Sequence, residues 1–203
     1  MTTPGSASPG RCRRQLLPWL LWPFAMPLTG LAGLPLAAVA ASPVAVPLPT
    51  EVARPLPNAR LWGSGSYRFF GLRIYDVRLW TASGFVAEQY PLHPFALELR
   101  YARDFTGVDI ANRSLSEMRR IEAFDAPQGQ RWLAAMVEAF PDVRDGDRLT
   151  GLNQPGVAAQ FFHNGQATRV IDGTAFARRF FGIWLAPETS EPALRRQLLA
   201  GRP

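Results

Sequence analysis

The sequence predicts an α+β fold, in which a meander of antiparallel strands and a group of helices are segregated along the chain. Three observations predict it. Phe95, Leu97, Leu99 and Tyr101 alternate with Ala96, Glu98 and Arg100 in "FALELRYA", the period-two signature of a half-buried strand. An Asn-Gly pair joins two extended runs in "VAAQFFHNGQATRVID", the dipeptide a two-residue type I′ hairpin favours. Amphipathic helical stretches lie between these strands with no regular strand–helix–strand repeat. A chain of 203 residues with 47% hydrophobic content can bury one ordinary core without disulfides or metals.

Taken in order, Arg11, Arg13 and Arg14 precede a stretch from Gln15 to Ser42 that carries no charge, and Ala38-Val39-Ala40 supplies an A-x-A cleavage signal before Ala41. Residues 1–41 therefore read as a signal peptide, placing the mature protein in the periplasm or outside the cell. Pro18, Pro23, Pro27 and Pro35 interrupt the apolar stretch, which favours cleavage over a membrane anchor. Contact with the membrane is then expected only through an uncleaved signal segment. Residues 42–59 hold five prolines and no apolar periodicity, so an extended proline-rich tether is expected there, with the folded domain spanning 60–203.

The domain opens on strand signals over residues 66–81, followed by the strand at 95–102. Asp109 is expected to cap "IANRSLSEMRRIEAF", whose Ile110, Leu115, Met118 and Ile121 recur at roughly helical spacing with the arginines on the other side. Beyond Pro127, Trp132, Met136 and Phe140 recur every four residues and mark a second amphipathic helix. A polar turn, the hairpin around Asn164-Gly165, an aromatic-rich helix in "GTAFARRFFGIWL" and a last helix in "SEPALRRQLLAG", with a serine cap, complete the chain.

Composition excludes several kinds of chemistry. All 22 basic residues are arginine, which rules out Schiff-base catalysis by lysine. The single cysteine, Cys12, lies in the signal segment, so the mature chain has no thiol chemistry. Past the three signal arginines, 19 basic face 16 acidic side chains, a net charge of +3 spread along the chain, so no nucleic-acid partner is expected. His93 and His163 stand 70 positions apart, and Asp142, Asp145 and Asp147 lack the pattern of a calcium loop; no metal and no cofactor is expected. "GSGSY" is neither a nucleophile elbow nor a dinucleotide loop, and Gly63 and Gly65 read as a bulge or a close backbone approach.

In "GLRIYDVRLW", alternation places Arg73, Tyr75, Val77 and Leu79 on one face and Ile74, Asp76, Arg78 and Trp80 on the other. The mixed face is either a surface ion pair beside a half-covered indole or the wall of a cleft. In a cleft, Tyr75 offers a hydroxyl and Arg68 or Arg73 a fork for a carboxylate, among apolar neighbours.

Three segments, "GSGSYRFFGLRIYDVRLW", "PFALELRYARDFTGVDIANRSLSEMRR" and "FFHNGQATRVIDGTAFARRFFGIWLAPETSEPALRRQLL", together resemble the bacterial exported chalcone-isomerase-like proteins, relatives of plant chalcone isomerase and the plastid fatty-acid-binding proteins. The resemblance covers residues 60–200. It implies an open-faced β-sandwich, a large antiparallel sheet covered on one side by helices with a ligand cleft between them. It also implies that Tyr75 stands where the isomerase has a threonine, as in the fatty-acid-binding relatives, that Arg68 or Arg73 stands for its arginine, and that Ile110 and Glu117 replace its tyrosine and asparagine. Closing a phenolate onto an enone needs donors aimed at the developing enolate, and Ile110 donates nothing, so isomerase activity is not expected.

The expectation is an exported, non-catalytic protein that binds a small amphipathic or carboxylate ligand such as a fatty acid through Arg68, Tyr75 and Arg73. Two alternatives stand beside it. One is an intramolecular lyase or isomerase with Tyr75 as acid. The other is an envelope interaction module whose cleft is filled by Phe69, Phe70, Phe180, Phe181 and Trp184.

Overall fold

The computed structural model describes residues 46–201, and the signal segment read at 1–41 lies outside them. Six strands, β1 (Arg60–Phe69), β2 (Leu72–Thr81), β3 (Phe95–Tyr101), β4 (Arg148–Gln154), β5 (Ala158–His163) and β6 (Gln166–Asp172), form one antiparallel sheet in sequential order. On one face lie α2 (Gly107–Ile121), α3 (Ala126–Ala139), α4 (Thr174–Leu185) and α5 (Pro192–Leu199). This is the α+β, helix-covered open sheet that the sequence predicts.

The run expected as one strand over 66–81 is a hairpin. Phe70 and Gly71 both take positive φ, 47° and 79°, the geometry of a type I′ turn. The predicted turn at Asn164 (φ 48°) and Gly165 (φ 87°) has the same form. A bulge then corrects the alternation in β2. Phe69 pairs with Leu72 and Arg68 with Arg73, but Tyr67 pairs with Tyr75, so Ile74 is an extra residue and side chains on either side of it change phase. Tyr75, Val77 and Leu79 face the helices, whereas Arg73 turns outward, where it pairs with Asp76, itself hydrogen-bonded to Ser66 (2.6 Å). The mixed face is thus a surface ion pair only at Asp76; its indole is not half-covered but buried, with Trp80 Nε1 donating to Glu98 (2.9 Å).

Gly63 and Gly65 mark the close approach that was expected. A Cβ on Gly63 would lie 2.2 Å from the Leu198 carbonyl oxygen, and one on Gly65 would meet Gln197 and Leu194. Bare backbone here lets α5 lie directly on β1. Gly63→Val is expected to lift α5 off the sheet and lower the melting temperature by several degrees; a calorimetric scan checks it.

Residues 46–59 are not an extended tether. Thr50–Ala53 form one helical turn, α1, on the Pro49 carbonyl, and Val52 and Leu56 pack with Trp80, Ala96, Leu152 and Phe162 on the sheet face opposite α2–α5. The prolines forbid a regular element but not burial, since a proline-rich segment carries fewer donors to satisfy. Glu51, its side chain fully buried, accepts from Arg148 Nε (3.1 Å) and the Thr150 hydroxyl (2.9 Å) and locks the segment to β4. The folded unit therefore begins before Arg60.

Two caps also differ from expectation. Thr106, not Asp109, caps α2: its hydroxyl accepts from the Asp109 amide (3.1 Å) and donates to the Asp109 carboxylate (2.6 Å). A hydroxyl three residues ahead of a carboxylate satisfies the exposed amides better than the carboxylate alone. Glu191, not Ser190, is the N-cap of α5, and no side chain caps that end.

The acidic turn is structural. Asp142 accepts from the Gly107 amide, and Asp147 from Arg144 and from the Asn164 amide at the hairpin. Asn164 above all, with the Arg144 amide and His163, holds the Asp147 carboxyl below the usual range. A depressed carboxyl pKa stabilises the fold above its unfolded value, about 3.9, and that contribution is lost as pH falls through the lower folded value. Asp147→Asn should therefore flatten the stability curve below pH about 4, as acid titrations followed by circular dichroism will show.

Candidate functional site

Between the sheet and α2 and α4 lies a cavity of about 320 Å³, at the small end of the roughly 300–1,000 Å³ of ligand pockets. Its walls follow from local periodicity. From α2, Ile110, Arg113, Ser114 and Glu117 recur at three- and four-residue spacing and present one stripe; from α4, Phe180, Ile183 and Trp184 do the same. The sheet supplies Leu97, Leu99, Leu149 and Phe161. The wall is overwhelmingly apolar.

Its polar features are few. Tyr67, Tyr75 and Tyr101 are cross-strand neighbours on β1, β2 and β3, with ring centroids 5.2 and 5.9 Å apart, and all three line the cavity. Trp184 Nε1 donates to the Tyr75 hydroxyl (3.1 Å). Burial, foremost, raises the hydroxyls of Tyr67, Tyr75 and Tyr101 above the ordinary phenol value, so all three stay protonated donors at neutral pH. Near Tyr67, Arg113 pairs with the buried Glu117 (2.8 Å), which Arg120 also approaches (3.7 Å). Asp109 of α2, Thr150 of β4, and Ser190 and Glu191 between α4 and α5 also line it.

The sequence-predicted site residues divide. Tyr75 lines the cavity. Arg68 and Arg73 do not: both sit on the outward face of the β1–β2 hairpin, Arg68 bonded to the Gly71 carbonyl and Arg73 to Asp76. Because neighbours on a strand point oppositely, Tyr67 rather than Arg68 turns inward after the glycines, and Arg113 is the lining cation. Ile110 and Glu117 both line the cavity. Arg113 escaped notice because the helix was divided into an apolar and a basic side, although its three- and four-residue offsets from Ile110 and Glu117 mark it as sharing their stripe. Of the aromatics expected to fill the cleft, Phe180 and Trp184 line it, Phe181 is buried in the core, and Phe70 is exposed. A cavity beside Tyr75 remains unfilled by these rings.

What this arrangement can do chemically is hold an elongated apolar body against aromatic and aliphatic walls and present donors to a polar end. It contains no activated nucleophile. Among the described residues no cluster of side chains could hold a metal ion.

Comparison with known proteins agrees with this architecture. An uncharacterized protein of Haemophilus influenzae is 27% identical over 137 residues, 68% of this chain, and the match spans 66% of that relative's length. A crystal structure of an Arabidopsis thaliana fatty-acid binding protein superposes with a TM-score of 0.55 at 10% identity, covering 70% of this chain and 87% of that one; at that identity the likeness is one of fold. The chalcone isomerase-like family model matches residues 45–200, which takes in the buried N-terminal segment as well as the sheet, the cavity and helices α2–α5. The chain therefore belongs to the chalcone isomerase-like family.

Proposed function

We propose that the protein is a non-catalytic member of its family that binds a small amphipathic carboxylate, a fatty acid being the class that fits. The observation that carries this reading is an apolar cavity whose one lining cation, among the described residues, is Arg113. The acyl chain lies along Tyr101, Leu97, Phe161 and Phe180, and the carboxylate takes the Arg113 fork with the Tyr67 hydroxyl as second donor. Glu117 gives up Arg113 to the ligand and keeps Arg120, so the buried carboxylate is not left without a partner. The resemblance to fatty-acid-binding relatives supports the same class. The reading includes export, with residues 1–41 removed as a signal peptide, which N-terminal sequencing of the protein recovered from the cell envelope would check.

Native mass spectrometry of the gently purified protein, followed by denaturing extraction, tests the binding. A stoichiometric acyl mass is expected, and Arg113→Ala should weaken its retention at least about tenfold, the value of one charge-assisted hydrogen bond. Tyr75→Phe should have a smaller effect, since its hydroxyl is already engaged by Trp184. An empty protein whose melting temperature is unmoved by added fatty acids would overturn the proposal.

A further inference from the structure

At the tip of the β1–β2 hairpin the chain places aromatic residues where neither folding nor turn geometry asks for them. Phe70 is 88% exposed and sits at φ 47°, a left-handed conformation unusual for a bulky side chain. The same turn occurs at residues 164–165, where the chain uses Asn, the residue that geometry favours. Phe69 and Leu72 beside it are 53% and 50% exposed, and the Phe69 and Phe70 rings touch edge to face at 4.5 Å. A Cβ on Gly71 would meet nothing within 4 Å, so the tip projects into open space. Arg68 and Arg73 flank it on the outward face; Arg73 is paired with Asp76, and Arg68 has no acidic partner among the described residues.

From this we infer that the hairpin tip, residues 68–73, is a membrane-surface contact that sets Phe69, Phe70 and Leu72 into the interfacial layer of an anionic bilayer, with Arg68 on the lipid phosphates. Two exposed rings and a leucine are too small a patch for a stable protein–protein interface, which buries roughly 800 Å² per partner, but suffice for an interfacial anchor combining apolar insertion with basic residues. Phe69 also lines the cavity, so the tip that touches the bilayer is continuous with the site's wall. A contact of this kind would deliver an amphipathic ligand from the bilayer to the cavity without passage through water. The inference stands on the tip alone and is tested without a cavity ligand, so its failure is separate from failure of the binding reading.

The test is hydrogen–deuterium exchange on the full chain, with vesicles of phosphatidylglycerol and phosphatidylcholine (1:1) and of phosphatidylcholine alone, because this readout localises the contact to residues 68–73 whatever residues 1–45 do. Protection of the tip peptide on the anionic vesicles is expected. Phe70→Asn, which suits the turn, should raise the lipid concentration for half-maximal protection about tenfold by removing the largest inserted group, with an unchanged or higher melting temperature. Arg68→Gln should raise it about fivefold on anionic vesicles only. No protection on either vesicle, or equal protection on both, would overturn the assignment. So would tip protection without vesicles at doubled mass, which would make the tip a protein contact instead.

Discussion

Phe181→Ala is expected to cost about 3–5 kcal/mol, the range for emptying a fully buried phenylalanine site, and with it much of the stability of a domain this size. Phe181 is wholly inaccessible, its ring 4.9 Å from that of Phe95 and 5.3 Å from that of Phe180. It also sits against the sheet: a Cβ on Gly151 would lie 3.0 Å from Phe181 Cε1. The surrounding strands and α4 cannot collapse into the space, since Gly151 is held in β4 between β3 and β5. The cavity term therefore adds to the lost transfer energy. Denaturant unfolding should show the midpoint fall with an unchanged slope. Phe70→Asn serves as the internal contrast, because it removes the same kind of ring from an 88% exposed position and should change stability by no more than about 0.5 kcal/mol.

Glu51→Ala is expected to destabilise by about 2–3 kcal/mol, below the full cost of breaking a buried ion pair, because the Arg148 partner is part-exposed and can return to water. What is lost is the carboxylate that receives Arg148 and the Thr150 hydroxyl, leaving the buried Thr150 oxygen without that bond. The change also frees Val52 and Leu56 to leave the outer face of the sheet, exposing Trp80 and Phe162. A drop in unfolding free energy together with new protease sensitivity over residues 46–59 would confirm that this segment is part of the fold. A neutral Glu51→Ala would return it to the status of a tether.

The Asn164-Gly165 hairpin, the alternating strand at 95–102 and the helices around Trp132 and Phe176 were legible because each rests on a local rule, a turn dipeptide or a period of two or 3.6. The hairpin at Phe70-Gly71 was not, because a phenylalanine occupies the position where that rule looks for Asn or Gly. The missed turn hid the bulge at Ile74, and the bulge decides which way Arg73 points. A one-residue change of phase moves a side chain to the other face of a sheet, so Arg73 fell outside the cavity, whereas Arg68 lies outside it because it alternates with the inward Tyr67.

Taken alone, the sequence determined the family, the α+β class, the order of elements from β3 onward and the inward position of Tyr75, all consequences of local pattern and ordered motifs. Only the tertiary structure decided that Arg113 is the cation of the site, that Tyr67 completes the tyrosine row, and that the proline-rich segment closes the outer face through Glu51 and Arg148. The first and last of these are contacts between residues distant in sequence, 46 positions between Arg113 and Tyr67 and 97 between Glu51 and Arg148. No local periodicity encodes such distances; they are set by strand register and by which helix stripe meets which face of the sheet.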